Sequence, residues 1–309
     1  MSASKYLLNV KKSYKGKAWR GLTDKQSRIS EQISQLNDYP LQISNVLARL
    51  GVDPYKVDDF LSPKLKNLLP DPRHLKDMVK ASNRLIDALI NQEQIAVFAD
   101  YDVDGAASAA LIISWLKEFG INPTLYVPDR ITEGYGLNSK ALAELSKNHQ
   151  LILCVDCGTS SHETIKNAGE KTDIVVLDHH IGSEELPPAY AIVNPNRQDQ
   201  STDFSYLCAA GVVFLFLVAT TTILRRQGKK SPDLMQALDL VALATVADVV
   251  PLVGLNRAFI KQGLKVIKGR KRKGLKWLSD ISKINSPVDE YHLGSVSYTH
   301  LTLPTKRIV

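Results

Sequence analysis

From Gln94 onward the chain alternates short apolar runs with longer amphipathic ones. Ile95–Ala99, Leu151–Val155 and Asp173–Leu177 are five-residue runs dominated by Ile, Val and Leu, and Thr124–Val127 and Ala191–Val193 are similar but less regular. Runs of this length bounded by polar or glycine-containing turns predict buried strands. Between them lie segments long enough for helices: Ala106–Glu118, closed by Gly120, a stretch near Ser139–Asn148, and Ser161–Ala168. Strands alternating with helices predict an α/β fold with a mostly parallel, doubly wound sheet. Upstream, the patterning is helical: Leu22–Leu36, Gln42–Leu50, Val57–Leu61 and, after Pro63, Pro70 and Pro72, an amphipathic segment from Leu75 to Ile90. Downstream, Leu207–Arg270 reads as helices broken near Gly228–Pro232 and at Pro251. The pattern divides the chain into a helical extension (1–90), an α/β domain (91–294) whose last part (205–294) is mostly helical, and a tail (295–309).

The run Leu207–Leu224 is long enough to cross a membrane, but it carries Cys208, Gly211 and several threonines and ends at Arg225-Arg226. A buried core helix is the expectation, with no membrane partner. Met1–Arg20 is polar and basic, without the apolar centre of a secretory signal. The three cysteines, Cys154, Cys157 and Cys208, are an odd number, consistent with a reducing cytoplasm. Cys154 and Cys157 form a C-x-x-C, yet Cys154 lies inside an apolar run and there is no second pair to complete a zinc site. A hydrophobic fraction of 44% is ordinary for a chain with a real core. The net charge of +7 suits a polyanionic partner without establishing one.

Acid sits at three strand ends. Ile95–Ala99 runs into Asp100-Tyr101-Asp102-Val103-Asp104-Gly105, Leu151–Val155 into Asp156 followed by Cys157-Gly158-Thr159, and Asp173–Leu177 into Asp178-His179-His180. In a parallel sheet these clusters share the rim where ligands bind. Five carboxylates and two imidazoles crowded there repel one another, so either several acids are protonated or cations occupy the site. Carboxylate-plus-imidazole sets suit Mn²⁺ or Mg²⁺, and a pair of ions suits hydrolysis at phosphorus. Each piece has a plainer reading. A strand-end Asp is often only a helix cap, His-His is often surface decoration, and D-x-D-x-D opens an EF-hand, although no Glu occupies the twelfth loop position. Acid on three strand ends in order favours the metal site.

Together these three segments resemble the first three motifs of the DHH phosphoesterases. Within that superfamily they resemble the RecJ family of single-strand-specific 5′→3′ exonucleases. Ala244-Thr245-Val246-Ala247-Asp248-Val249-Val250-Pro251-Leu252 is similar to the fourth motif, and Leu68-Leu69-Pro70-Asp71-Pro72 and Val193-Asn194-Pro195 also match the RecJ pattern. The resemblance covers roughly residues 20–294. It implies hydrolysis of single-stranded DNA with two Mn²⁺ or Mg²⁺ ions in DNA repair and recombination, and a single-strand-binding protein as a further partner. It also implies roles: Asp156 bridging both ions, Asp100 and Asp102 serving one, and Asp104, His179 and Asp248 the other. His180 would lie near the scissile phosphate, with Asp178 orienting the histidines, so that His180, Asp178 and Asp156 form the catalytic set.

A RecJ-type chain is expected to continue into further domains that grip the strand, and the residues after Gly294 do not match that continuation. This makes 295–309 an expected non-native tail, against a divergent terminal strand at Tyr298–Leu303. The basic segments Arg225–Lys230 and Lys268–Lys273 are candidate phosphate contacts but read individually as solvated faces. Two other readings remain: a small-substrate DHH phosphoesterase acting on nanoRNA or cyclic dinucleotides, and an inactive nucleic-acid-binding module. The Asp-Tyr-Asp motif and the helical N-terminal region favour the exonuclease.

Overall fold

A capping box opens the first helix: Thr23 Oγ1 accepts from Gln26 N at 3.2 Å and Gln26 Oε1 from Thr23 N at 3.0 Å. In the computed structural model, which describes residues 6–134, 136–168, 171–201, 204–284 and 286–297, two units are distinguished, Met1–Leu68 and Leu69–Val309. The smaller contains α1 (Asp24–Asn37), α2 (Leu41–Arg49), α3 (Val57–Leu61) and α4 (Leu65–Leu68). Its core is Ile33, Leu47, Ala48, Val52 and Val57, with Ile29, Tyr39 and Phe60 packed around them.

The larger unit begins before the residue-90 boundary expected from patterning, because α5 (Met78–Ile90) belongs to it. This helix starts at Met78, three residues later than its apolar pattern, after an N-cap, Asp77, whose φ of 60° is left-handed. Asp77 Oδ2 accepts from Ile192 N and from Arg197 Nη1, joining the start of α5 to the strand beside it. The remaining elements are β1 (Ile95–Ala99), α6 (Val103–Lys117), β2 (Thr124–Tyr126), α7 (Ser139–Ser146), β3 (Leu151–Val155), α8 (His162–Lys166), β4 (Asp173–Leu177) and β5 (Ala191–Val193). After them come α9 (Ala209–Arg226), α10 (Leu238–Ala247), α11 (Gly254–Lys268), α12 (Lys273–Ile281) and α13 (Glu290–Val296).

The five strands form one parallel sheet, ordered β2-β1-β3-β4-β5. Strand residues alternate between faces. Ala96, Phe98, Ile152, Cys154, Ile174, Val176 and Ile192 pack in one cluster with Ala141, Leu142 and Leu145 of α7 and Ile165 of α8. The alternate residues face the layer containing α5, α6 and α9. Both faces of β1, β3 and β4 are thus covered, which is why their sequences are apolar without alternation. Helix α9 contacts α5, α6, α10 and β4 and is 72% buried inside the unit. Its membrane-like composition is that of a helix with apolar neighbours on nearly every side. The cysteines are free and buried. Residues 298–309, which hold most of the tail, lie outside the described residues.

The start of helix α10 is held by two contacts. Near its start, buried Asp239 receives Arg272 Nε at 2.6 Å and Arg272 Nη2 at 3.0 Å. Along its length α11 lies very close, and a Cβ on Gly263 would come within 2.3 Å of Leu238 O. Only glycine permits that approach, which fixes the line along which α10 delivers its C-terminal residue, Asp248.

Candidate metal centre

The strand order reverses between β1 and β3, so the crevice beyond their carboxyl ends is open to a ligand. Asp100 follows β1, Asp156 follows β3 and Asp178 follows β4, each 1% exposed. Asp156 has a φ of 60°, a left-handed value uncommon for a residue with a Cβ and of the kind that clusters at functional sites. The loop after β1 turns directly into α6, whose first turn is capped by Asp102, accepting from Gly105 N at 2.9 Å. The helix therefore begins at Val103, three residues before its apolar pattern suggested, and carries Asp104 inward. Asp104 in turn caps α9, its two oxygens accepting from Ala209 N at 2.6 Å and Ala210 N at 2.8 Å.

Gly105 makes this loop possible. A Cβ there would stand 2.3 Å from Asp100 O and 2.9 Å from Asp100 N, a collision with backbone that cannot rotate away. Gly105→Ala is expected to cost about 1–3 kcal/mol of stability, as overpacking does. It should also weaken Mn²⁺ binding, measured by thermal melts and calorimetry. A variant with unchanged melting and metal affinity would mean that the loop yields without disturbing Asp100.

His179 points into the acids. Its Nε2 is 3.3 Å from Asp156 Oδ1, 3.6 Å from Asp248 Oδ2 and 3.8 Å from Asp104 Oδ2. These separations place a ring nitrogen among three carboxylates without forming a satisfied hydrogen bond to Asp156 Oδ1 or Asp248 Oδ2. His180 lies closer to the surface, and its Nδ1 is 2.8 Å from Asp178 Oδ1. Asp178 also accepts from Thr159 N and from the backbone N–H groups of His179 and His180.

The electrostatics separate two kinds of acid. Burial pushes Asp104 up to about 7, with Asp248 adding repulsion. Burial likewise raises Asp248 to about 6, with Asp102 adding to it. It raises Asp156 well above the ordinary carboxylate range, helped by Asp104 and Asp102, and it raises Asp100. A carboxylate at the C-terminus of α10 also meets the unfavourable end of the helix dipole. Burial would raise Asp178 too, but the hydrogen bond and charge of His180 and the bonds from Thr159 outweigh it and hold this acid below its usual range. His180 is correspondingly raised by Asp178, whereas burial and His180 lower His179.

The donor set fits divalent cations. Ligand atoms of Asp100, Asp102 and Asp156 lie within 4.8 Å of one another, as do those of Asp104, His179 and Asp248 and those of Asp156, His179 and His180. Asp100 Oδ1, Asp156 Oδ1 and Asp248 Oδ2 are buried with no hydrogen-bond partner among the described residues. Such oxygens are costly unless something positive meets them. Hard oxygen donors with one or two imidazoles match Mn²⁺ or Mg²⁺. Asp178 belongs to none of these groups; it holds the ring of His180 and the backbone of His179, but not the ring of His179.

The basic segments lie away from this rim. Arg272 meets Asp239, nine residues before Asp248, about 13 Å along α10 at 1.5 Å per residue. Arg225 and Arg226 end α9, roughly 25 Å from the end that Asp104 caps. One residue that holds the site, Asn196, escaped the sequence reading, and Thr159 entered it only at the end of the segment after Leu151–Val155. Asn194 entered it only as part of a motif. Small polar residues just beyond strand ends are the one signal that marks them.

The chain matches the DHH family, N-terminal domain, over residues 94–245. It is 36% identical over 271 residues to the single-stranded-DNA-specific exonuclease RecJ of Dickeya dadantii, covering 84% of this chain and 46% of that protein. A crystal structure of exonuclease RecJ bound to manganese superposes with a TM-score of 0.63 at 31% identity, over 71% of this chain and 55% of that one. The structure of RecJ in complex with Mn²⁺ from Thermus thermophilus superposes with a TM-score of 0.70 at 26% identity, over 86% and 37%. The chain thus spans about half the length of the curated relatives it matches.

Proposed function

Because this chain belongs to the DHH family, we propose that its acid–histidine rim is the active site of a metal-dependent exodeoxyribonuclease that hydrolyses phosphodiester bonds of single-stranded DNA in the 5′→3′ direction. The observation that carries this reading is the set of buried carboxylate oxygens around His179 that lack hydrogen-bond partners among the described residues. The curated relative and the manganese-bound neighbour support it.

Asp156 lies at ligand distance from Asp100 and Asp102 and also from His179 and His180, so it would be the ligand common to two cations. Asp100 and Asp102 would complete one position; Asp104, His179 and Asp248, themselves within ligand distance of one another, would hold the other. Two divalent cations held there would supply charge neutralisation at the phosphate oxygens and lower the pKa of a bound water. The residues supply the rest. Asp178 accepts Nδ1–H of His180, so a protonated His180 presents its second proton on Nε2 to the leaving oxygen. The depressed basicity of His179 keeps its imidazole neutral, the form that ligates. A single-strand-binding protein is a partner by family likeness alone.

The test is hydrolysis of 5′-labelled single-stranded DNA in Mn²⁺ by this chain, beside a dinucleotide. Mononucleotide release from the long strand, lost in EDTA, is the expected result. Preference for the dinucleotide would point instead to a small-substrate phosphoesterase.

A further inference from the structure

The carbonyl side of the His179-His180 segment is held by side chains beyond β5, as its N–H side is held by Asp178. Asn194, just beyond β5, is 1% exposed. Its Nδ2 donates to His180 O at 2.8 Å and to Thr159 Oγ1 at 2.8 Å, while its Oδ1 accepts from Asn196 N at 2.7 Å. The acceptor at His180 is a carbonyl, so the amide can face it only with its NH₂ group; the orientation is forced. Asn196 Nδ2 donates to the neighbouring carbonyl, His179 O, and to Ser205 O. Thr159, fully buried, donates its backbone N–H to Asp178 Oδ2. One amide therefore ties the end of β5 to the segments beyond β3 and β4, those that carry Asp156 and the histidines.

We propose that Asn194, acting with Thr159, is a positioning residue that holds the His179-His180 backbone at the spacing from Asp156 that cation binding requires. The inference rests on the metal-dependent reading above. Without the amide, His180 O and Thr159 Oγ1 lose their donor and Asn196 N its acceptor, so the carbonyl side of the histidine segment is left to Asn196 alone, itself no longer held by Asn194. Groups that orient metal ligands in this way typically change metal affinity by about 10–100-fold when removed.

The experiment is Mn²⁺ calorimetry on the full chain and on N194A, T159V and T159S, each at a temperature well below its own melt. The Thr159 pair separates positioning from packing. T159V keeps the buried methyl and loses the hydroxyl that Asn194 meets, whereas T159S keeps the hydroxyl and loses the methyl. Positioning requires N194A and T159V to bind Mn²⁺ about 10–100-fold more weakly, with T159S near the parent. A purely structural role would lower melting temperatures and leave all four affinities alike, which overturns the inference. Should N194A fail to fold, the Thr159 pair decides alone. A parent that takes up no Mn²⁺ would overturn the metal reading and this inference together, whereas a binding parent with unaffected variants overturns only the inference.

Discussion

Asp156→Asn is expected to abolish Mn²⁺-dependent hydrolysis and, at the same time, to raise the melting temperature of the metal-free protein. The two effects have one cause. Asp156 is buried beside Asp104 and Asp102 and carries an oxygen that no hydrogen bond from the described residues satisfies. Its ionised form is unfavourable without a cation, so a neutral side chain of the same shape relieves repulsion. After glycine, asparagine is the residue that a left-handed φ of 60° tolerates best, whereas alanine would add backbone strain. Relief of one such contact is worth about 0.5–2 kcal/mol. For a unit of this size each kcal/mol corresponds to roughly 2–4 °C. Loss of the bridging carboxylate should lower the rate by about 10³-fold or more, the equivalent of about 4 kcal/mol in the barrier. Calorimetric melts in EDTA at alkaline pH and hydrolysis of labelled single strands measure the two halves. Sustained turnover would remove Asp156 from the machinery, and a lower melt would show that its charge does not strain the metal-free fold.

A second large effect is expected in the dependence of stability on pH. Asp104 at about 7 and Asp248 at about 6 stand above their ordinary value of 3.8, and Asp156 and Asp100 are raised as well. Between 3.8 and about 7 the folded protein therefore holds more protons than the unfolded chain, and stability falls as pH rises through that window. His180, also raised, acts in the same direction above its ordinary value, and His179, lowered, acts against it. Asp178 behaves oppositely to the other acids: its contribution is present above 3.8 and is lost as pH falls through its depressed value. Cations compete with the protons on the raised acids, so Mn²⁺ should stabilise strongly near pH ~8 and weakly near pH ~5. A hundredfold excess over Kd gives about 2.7 kcal/mol, or roughly 5–10 °C. Thermal melts at the two pH values, with and without Mn²⁺, check this. Equal metal-induced shifts at both would show that these carboxylates are not where the ion binds.

The strands were legible because a sheet covered on both faces admits only apolar side chains. Ile95–Ala99, Leu151–Val155 and Asp173–Leu177 therefore read as continuous runs with correct ends. The helix after β1 was read three residues late because its first turn is polar for chemical reasons, holding Asp102 as a cap and Asp104 as a buried acid. An amphipathic helix does not reveal in sequence which neighbour buries it, and α5 packs with β5 and α9.

What the amino-acid order determined by itself was local: acid at three strand ends, a histidine pair beside one of them, and a further aspartate at a helix end. Only the tertiary structure decided which of these meet. The reversal of strand order sets Asp100 beside Asp156, and α10 brings Asp248 to His179 across 69 residues of chain. Asn194 reaches the carbonyl of His180 in the same way, through strand pairing. Periodicity reports the face a residue buries, because that depends on its neighbours a turn or two away. The partners across that face are set by strand order and helix packing, where contacts distant in sequence outweigh local preference.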